Sequence, residues 1–184
     1  GAVNEVKKFR RLKVNKDKSS VDKPENRHFL GFSLMRDPLE GEVKVLLSNR
    51  SIKRIFQRIK ELTPRGGNLS FAIMKLNQYL AGWLNFFKIC STRNNFSFAD
   101  AHIRRSLRAM IFKQWKRKRT AARKLIKLGI KRETAWRRIY AGRRNIWALS
   151  LDYVADRGLP NAYFKKLGLF SLERKWLEYK GLKP

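Results

Sequence analysis

Ser51-Ile52-Lys53-Arg54-Ile55-Phe56-Gln57-Arg58-Ile59-Lys60-Glu61-Leu62 is where the chain changes from the period of strands to that of helices. Ile52, Ile55, Phe56, Ile59 and Leu62 fall on one face at helical spacing, while Lys53, Arg54, Arg58 and Lys60 take the other. Thr63-Pro64 and Gly66-Gly67 then stop the pattern. The spacing predicts an amphipathic helix with a basic outer face. A second helix is predicted from about Ser70, with Ile73, Leu76, Leu80, Trp83, Leu84 and Phe87 facing inward. A third is predicted from about Ala99, with Ile103, Leu107, Met110, Ile111 and Trp115 inward. Three such helices make a bundle, its expected core being Ile55, Ile59, Leu80, Trp83, Leu84, Leu107 and Ile111.

Upstream of Ser48 the reading is different. Leu12-Lys13-Val14, the run His28 to Leu34, and Val43-Lys44-Val45-Leu46-Leu47 are short apolar runs, the last two separated by Asp37-Pro38-Leu39-Glu40-Gly41-Glu42. Those lengths and turn residues predict a small antiparallel sheet, and so few strands suit the edge of a larger domain. Downstream come shorter helical pieces: Ala121 to Leu128 stopped by Gly129, Arg132 to Ala141 stopped by Gly142, a stretch before Gly168, and a last helix opened by Ser171. The predicted fold is therefore mainly α: a small β edge, a three-helix bundle and a short helical appendix.

Charge dominates the functional reading. In 184 residues there are 44 Lys and Arg against 14 Asp and Glu, a net charge of +30 and a pI near 11.2. Seventeen of those basic residues lie between Ala101 and Arg144, where Glu133 is the single acid. Self-repulsion on that scale calls for a polyanion, and Trp115, Trp136 and Tyr140 among the basic side chains suit stacking on bases as well as contact with phosphate. Nucleic acid is the expected partner. An anionic membrane is the weaker reading, since no apolar run approaches the ~20 residues of a spanning helix and no secretory segment is present. With 43% hydrophobic content the chain can bury a core. Cys90 is its one cysteine and His28 and His102 its only histidines, too few for a four-ligand zinc site. Cys90 reads as a buried or semi-buried thiol, not a nucleophile, and fits a reducing compartment.

Nothing in the sequence declares catalysis. The acids are scattered, with no paired carboxylates flanked by apolar residues as a metal-binding hairpin would present them. Gly66-Gly67 lacks the Lys-Ser or Lys-Thr of a phosphate loop. The expectation is a chain with no catalytic and no metal-binding residues of its own.

A series of motifs is more specific than any of these signals. Leu12 to Ser19 (LKVNKDKS) is followed by Phe29-Leu30-Gly31-Phe32, then by Leu76 to Phe87 (LNQYLAGWLNFF). Ile103 to Arg108 (IRRSLR), Lys113-Gln114-Trp115-Lys116, Leu125 to Ile130 (LIKLGI) and Gly168 to Leu172 (GLFSL) continue it. In this order they resemble the C-terminal part of group II intron-encoded reverse transcriptase/maturases, and the resemblance spans nearly the whole chain. It implies three parts: residues 1–47 as the C-terminal edge of the polymerase palm, 48–119 as the thumb or maturase bundle, and 120–184 as a basic helical appendix of maturase or DNA-binding type.

The resemblance implies functions too. Lys18 and Ser19 would lie in a palm turn beside the incoming nucleotide, and Phe29, Leu30, Gly31 and Phe32 would be similar to a primer grip. Intron RNA, template-primer duplex, target DNA and the fingers and palm of the same protein are the implied partners, in a ribonucleoprotein that serves splicing and retrohoming. The polymerase aspartates and their Mg²⁺ would precede Gly1 in the family order, and the whole protein would be an RNA-directed DNA polymerase. The expected compartment is a bacterial cytoplasm, in association with nucleic acid, or an organellar matrix. Together, charge and resemblance nominate Lys53, Arg54, Arg58, Arg104, Arg105, Arg108, Lys113, Lys116, Arg117, Lys118, Arg119, Arg123, Lys124, Arg137, Arg138, Arg143 and Arg144 as nucleic-acid contacts. The rival reading is a basic helical domain that recognises target DNA.

Overall fold

A computed structural model describes residues 28–36, 41–142 and 145–182. Leu12 to Val14, Lys18, Ser19, Arg143 and Arg144 lie outside the described residues. Three strands form an antiparallel sheet in the order β1 (His28–Phe29), β2 (Phe32–Arg36), β3 (Val43–Leu47). The run His28 to Leu34 is not one strand: Phe29 pairs with Phe32 across a two-residue turn. Leu30 and Gly31 both have positive φ, 50° and 88°, the conformation of the hairpin turn that matches strand twist. Gly31 has a second reason to be glycine. A Cβ there would meet Ser51 Oγ at 2.6 Å, and the Gly31 carbonyl accepts hydrogen bonds from Ser48 N (2.9 Å) and Ser51 Oγ (2.8 Å). The hairpin is thereby tied to the start of the first helix.

That helix, α1 (Asn49–Leu62), is capped by the Ser48 side chain, which accepts from Ser51 N. It is followed by α2 (Leu69–Phe87), capped by Asn68, and α3 (Asn94–Gln114). The helical period foreseen for these segments is the one observed, although α3 begins five residues before Ala99. Ile55 and Ile59 of α1, Ile73, Leu76 and Leu80 of α2, and Phe96, Ile103 and Leu107 of α3 are buried together. Trp83 is half-buried at the edge of this cluster, tilted against Phe87 with ring centroids 4.7 Å apart.

Beyond α3 come α4 (Lys118–Lys127), α5 (Arg132–Tyr140), α6 (Ile146–Leu149), α7 (Tyr153–Gly158), α8 (Asn161–Lys166) and α9 (Leu172–Tyr179). The first four share a second apolar cluster with the end of α3, built on Phe112, Ala122, Leu125, Ala135, Ile139, Leu149 and Val154. Trp115 packs against both clusters. The last two helices return to the first bundle. Leu159, Phe164, Leu172, Trp176 and Leu177 join its core, and Trp176 stacks on Phe96 while its Nε1 donates to the Cys90 carbonyl (3.1 Å).

Two side chains fasten that return. Asn77 donates from Nδ2 to the Gly168 carbonyl (2.7 Å) and accepts at Oδ1 from Phe170 N (2.8 Å). Asp100 accepts from Ser171 Oγ and from the Leu172 and Glu173 amides, so a carboxylate on α3 satisfies the first amides of α9. Burial raises the Asp100 carboxyl above its usual range, against the opposing pull of those donors and of Arg104.

Candidate nucleic-acid interface

The basic side chains nominated by sequence divide into distinct environments. Lys113, Lys116, Arg117, Lys118, Arg119, Arg123 and Lys124 are exposed along the end of α3, the following turn and α4. The turn is sharp: Lys116 has φ 54°, rare for a residue with a Cβ, and Arg117 N donates to the Trp115 carbonyl (2.6 Å). On α4 the small residues Ala121 and Ala122 and Leu125 face inward, which leaves Arg119, Arg123 and Lys124 to solvent. Gln114 Nε2 donates to the Gly67 carbonyl (2.9 Å), so this basic turn lies beside the α1–α2 loop that carries Arg65.

Lys53, Arg54 and Arg58 are exposed on the outer face of α1, as its period requires. Arg58 pairs with Glu61 at 2.8 Å and, with Gln57, lowers the Glu61 carboxyl. Arg137 is exposed on α5, whereas Arg138 is half-buried and pairs with the buried Asp152 at 2.8 Å. Lys118 reaches the Gly142 carbonyl (3.3 Å).

Arg108 departs most from the sequence expectation. It is buried, with Nε and Nη2 donating to the Leu159 carbonyl (3.1 and 3.0 Å) and Nη2 to Asp156 Oδ1 (2.7 Å). Its guanidinium joins α3 to the end of α7 instead of facing a ligand. Arg104 is half-buried, and Arg105 lies with its guanidinium 3.8 Å from the centroid of the Trp147 ring, donating to the Trp147 carbonyl (3.2 Å). Trp136 is half-buried, stacked on Tyr140 at 5.5 Å and packed on the second cluster.

One arrangement escaped sequence reasoning. A groove of about 850 Å³ runs between α1, α3 and the start of α6, with Phe56, His102 and Trp147 along it and Lys53, Lys60 and Arg65 beside them. Phe56 and His102 are nearly parallel, 18° apart in plane with centroids at 4.4 Å, and Trp147 meets His102 edge-on at 5.6 Å. Burial, and secondarily the charge of Arg105, lowers the His102 pKa below 6.5 and favours the neutral imidazole. The sequence signal was available only in part: Phe56 sits at the border of the apolar face of α1, next to its basic face.

Residues 52–128 match the family model for the group II intron maturase-specific domain. That stretch of the chain is similar to the maturase-specific domain. A comparison with curated proteins returned no match. The matched segment holds α2, α3, α4 and nearly all of α1, hence the exposed row from Lys113 to Lys124 and most of the groove. A maturase domain implies interaction with group II intron RNA. Among the described residues no three of His, Cys, Asp and Glu come together as a group that could hold a metal ion. No described helix is long and apolar enough to cross a membrane.

Proposed function

We propose that the chain binds intron RNA as the maturase and thumb portion of an intron-encoded reverse transcriptase, helping the RNA reach its splicing-active shape and gripping template-primer duplex. The observation that carries this reading is the exposed row Lys113, Lys116, Arg117, Lys118, Arg119, Arg123 and Lys124, held on the end of α3, the following turn and α4 inside the maturase-specific segment. A-form RNA is read by shape, phosphate and 2′-OH contacts, which long cations on a helical surface can make. The Leu30-Gly31 turn, anchored to Ser48 and Ser51, supports a primer-grip role for Phe29 to Phe32 in the same assembly.

Each neutralised phosphate releases counterions, so ~6 contacts give a slope of log affinity against log salt near −5. Replacing Lys116, Arg117, Lys118 and Arg119 by Gln removes up to four contacts and flattens the slope by as much as about 3. The test is a salt titration of intron RNA binding for the quadruple variant and the parent, with circular dichroism as the folding control. An unchanged slope with retained helicity refutes the assignment of this row. Displacement of the intron RNA by random duplex DNA at equal phosphate concentration refutes the RNA reading in favour of DNA.

A further inference from the structure

The groove between α1, α3 and α6 combines features that a plain basic surface lacks. Phe56 and His102 are stacked face to face along it, and Trp147 meets His102 edge-on at one side. Lys53, Lys60 and Arg65 come from α1 and the loop after it, so cations flank the rings without covering them. Trp147 is itself held from behind by the Arg105 guanidinium, 3.8 Å from its centroid, which fixes the ring and strengthens the electropositive surroundings. At about 850 Å³ the groove lies within the ~300–1,000 Å³ range of sites for small organic ligands. Ser106 also lines it, bringing a hydroxyl that can both donate and accept.

We propose that this groove receives a single unpaired nucleobase of the bound RNA, which extends the Phe56–His102 stack beside Trp147, with its flanking phosphates on Lys53, Lys60 and Arg65. The proposal rests on the RNA reading above and adds to it a site that distinguishes a bulged or looped strand from a continuous duplex. Paired bases are hidden in the stack of an A-form helix, whereas a splayed base offers its π-face and its hydrogen-bonding edge. A neutral His102 suits this use, because a π-face stacks on it without a charge to be desolvated. The sequence tolerance of stacking means the site selects for an unpaired base before it selects which base.

The test uses the full chain and two RNA probes: a short hairpin with one bulged 2-aminopurine in its stem, and the same hairpin fully paired. The expected result is that the bulged probe binds roughly tenfold to a hundredfold tighter, with its 2-aminopurine fluorescence quenched on binding. Trp147→Leu and His102→Leu should each abolish that preference and the quenching while leaving affinity for the paired probe unchanged, and the parent comparison needs no variant. Equal affinity of the parent for both probes overturns the groove proposal and leaves the general RNA reading standing. Retention of the preference in both folded variants overturns it as well. Failure of both probes to bind the parent refutes the RNA reading and this proposal together. Displacement of the bulged base by an acidic peptide containing Phe, with loss of peptide binding but not of the bulge preference in the variants, makes the groove a peptide site instead.

Discussion

Arg108→Met separates a cation that builds the fold from cations that face a ligand. The Arg108 side chain is 7% exposed and spends its donors on the Leu159 carbonyl and Asp156, whereas the Asp156 side chain is 72% exposed. Methionine retains much of the stem's packing but leaves the carbonyl of fully buried Leu159 without these two bonds. An unsatisfied buried acceptor costs about 1–3 kcal/mol. Asp156 returns to water, so the lost ion pair adds at most about 1 kcal/mol. Removing a desolvated charge works in the opposite direction and sets the low end. The expected net cost is about 2–3 kcal/mol, or a fall in Tm of roughly 5–10 °C for a chain of this size. Asp156→Asn should cost less than about 1 kcal/mol. Urea unfolding followed by circular dichroism measures both, and a salt titration of RNA binding measures the ligand side. The reasoning is refuted if Arg108→Met is as stable as the parent, or if the folded variant flattens the salt slope by the ~0.7–0.9 expected of one lost phosphate contact.

Asp100→Ala should leave Ser171 Oγ and the first two amides of α9 without their acceptor and cost about 2–3 kcal/mol; urea midpoints of the variant and parent decide it. Because the His102 pKa is lowered below 6.5, the unfolded chain protonates first, so the stability contributed by the neutral ring is full above that pH and is lost as pH falls through the folded value. His102→Leu should therefore reduce the acid sensitivity of the urea midpoint between pH 7.5 and 5, and an identical pH dependence in variant and parent would contradict the assignment. Cys90 is fully buried and its thiol is pushed up to about 11, chiefly by burial, so alkylation at pH 8 should be slow in the native chain and fast in urea. Rapid native labelling, read by mass spectrometry, would show that its cover opens.

The helices α1 and α2 were legible because each opens at a polar cap and carries its apolar residues at helical spacing over at least three turns, with Pro64, Gly66 and Gly67 marking the break between them. The start of α3 was not. Asn94, Asn95 and Ser97 are weak helix formers, and the segment is held by Phe96 packing on Trp176, far away in the chain. The short helices α6 and α7, of four and six residues, are below the length at which a period shows. The same distinction governs the site. The charge run on α4 was visible as composition, but Arg108 belongs to the same run and turns inward because Asp156 and Leu159, about fifty residues on, meet it there. The groove joins Phe56, His102 and Trp147 from three elements, and no local pattern encodes such a meeting.

The return of α8 and α9 to the first bundle has a consequence for synthesis. Phe96 and Cys90 leave the ribosome about eighty residues before Trp176, which covers them both. In that interval the α4–α7 lobe can form locally around its own cluster, but the seat for Leu172, Trp176 and Leu177 stays open to water. Co-translational folding is thus obliged to finish out of order, with the middle of the chain settled before its beginning is sealed. A chain cut at Leu128, where the family match ends, would keep most of the basic surface yet present that seam permanently, and it should be recovered as aggregate rather than as a working RNA-binding unit.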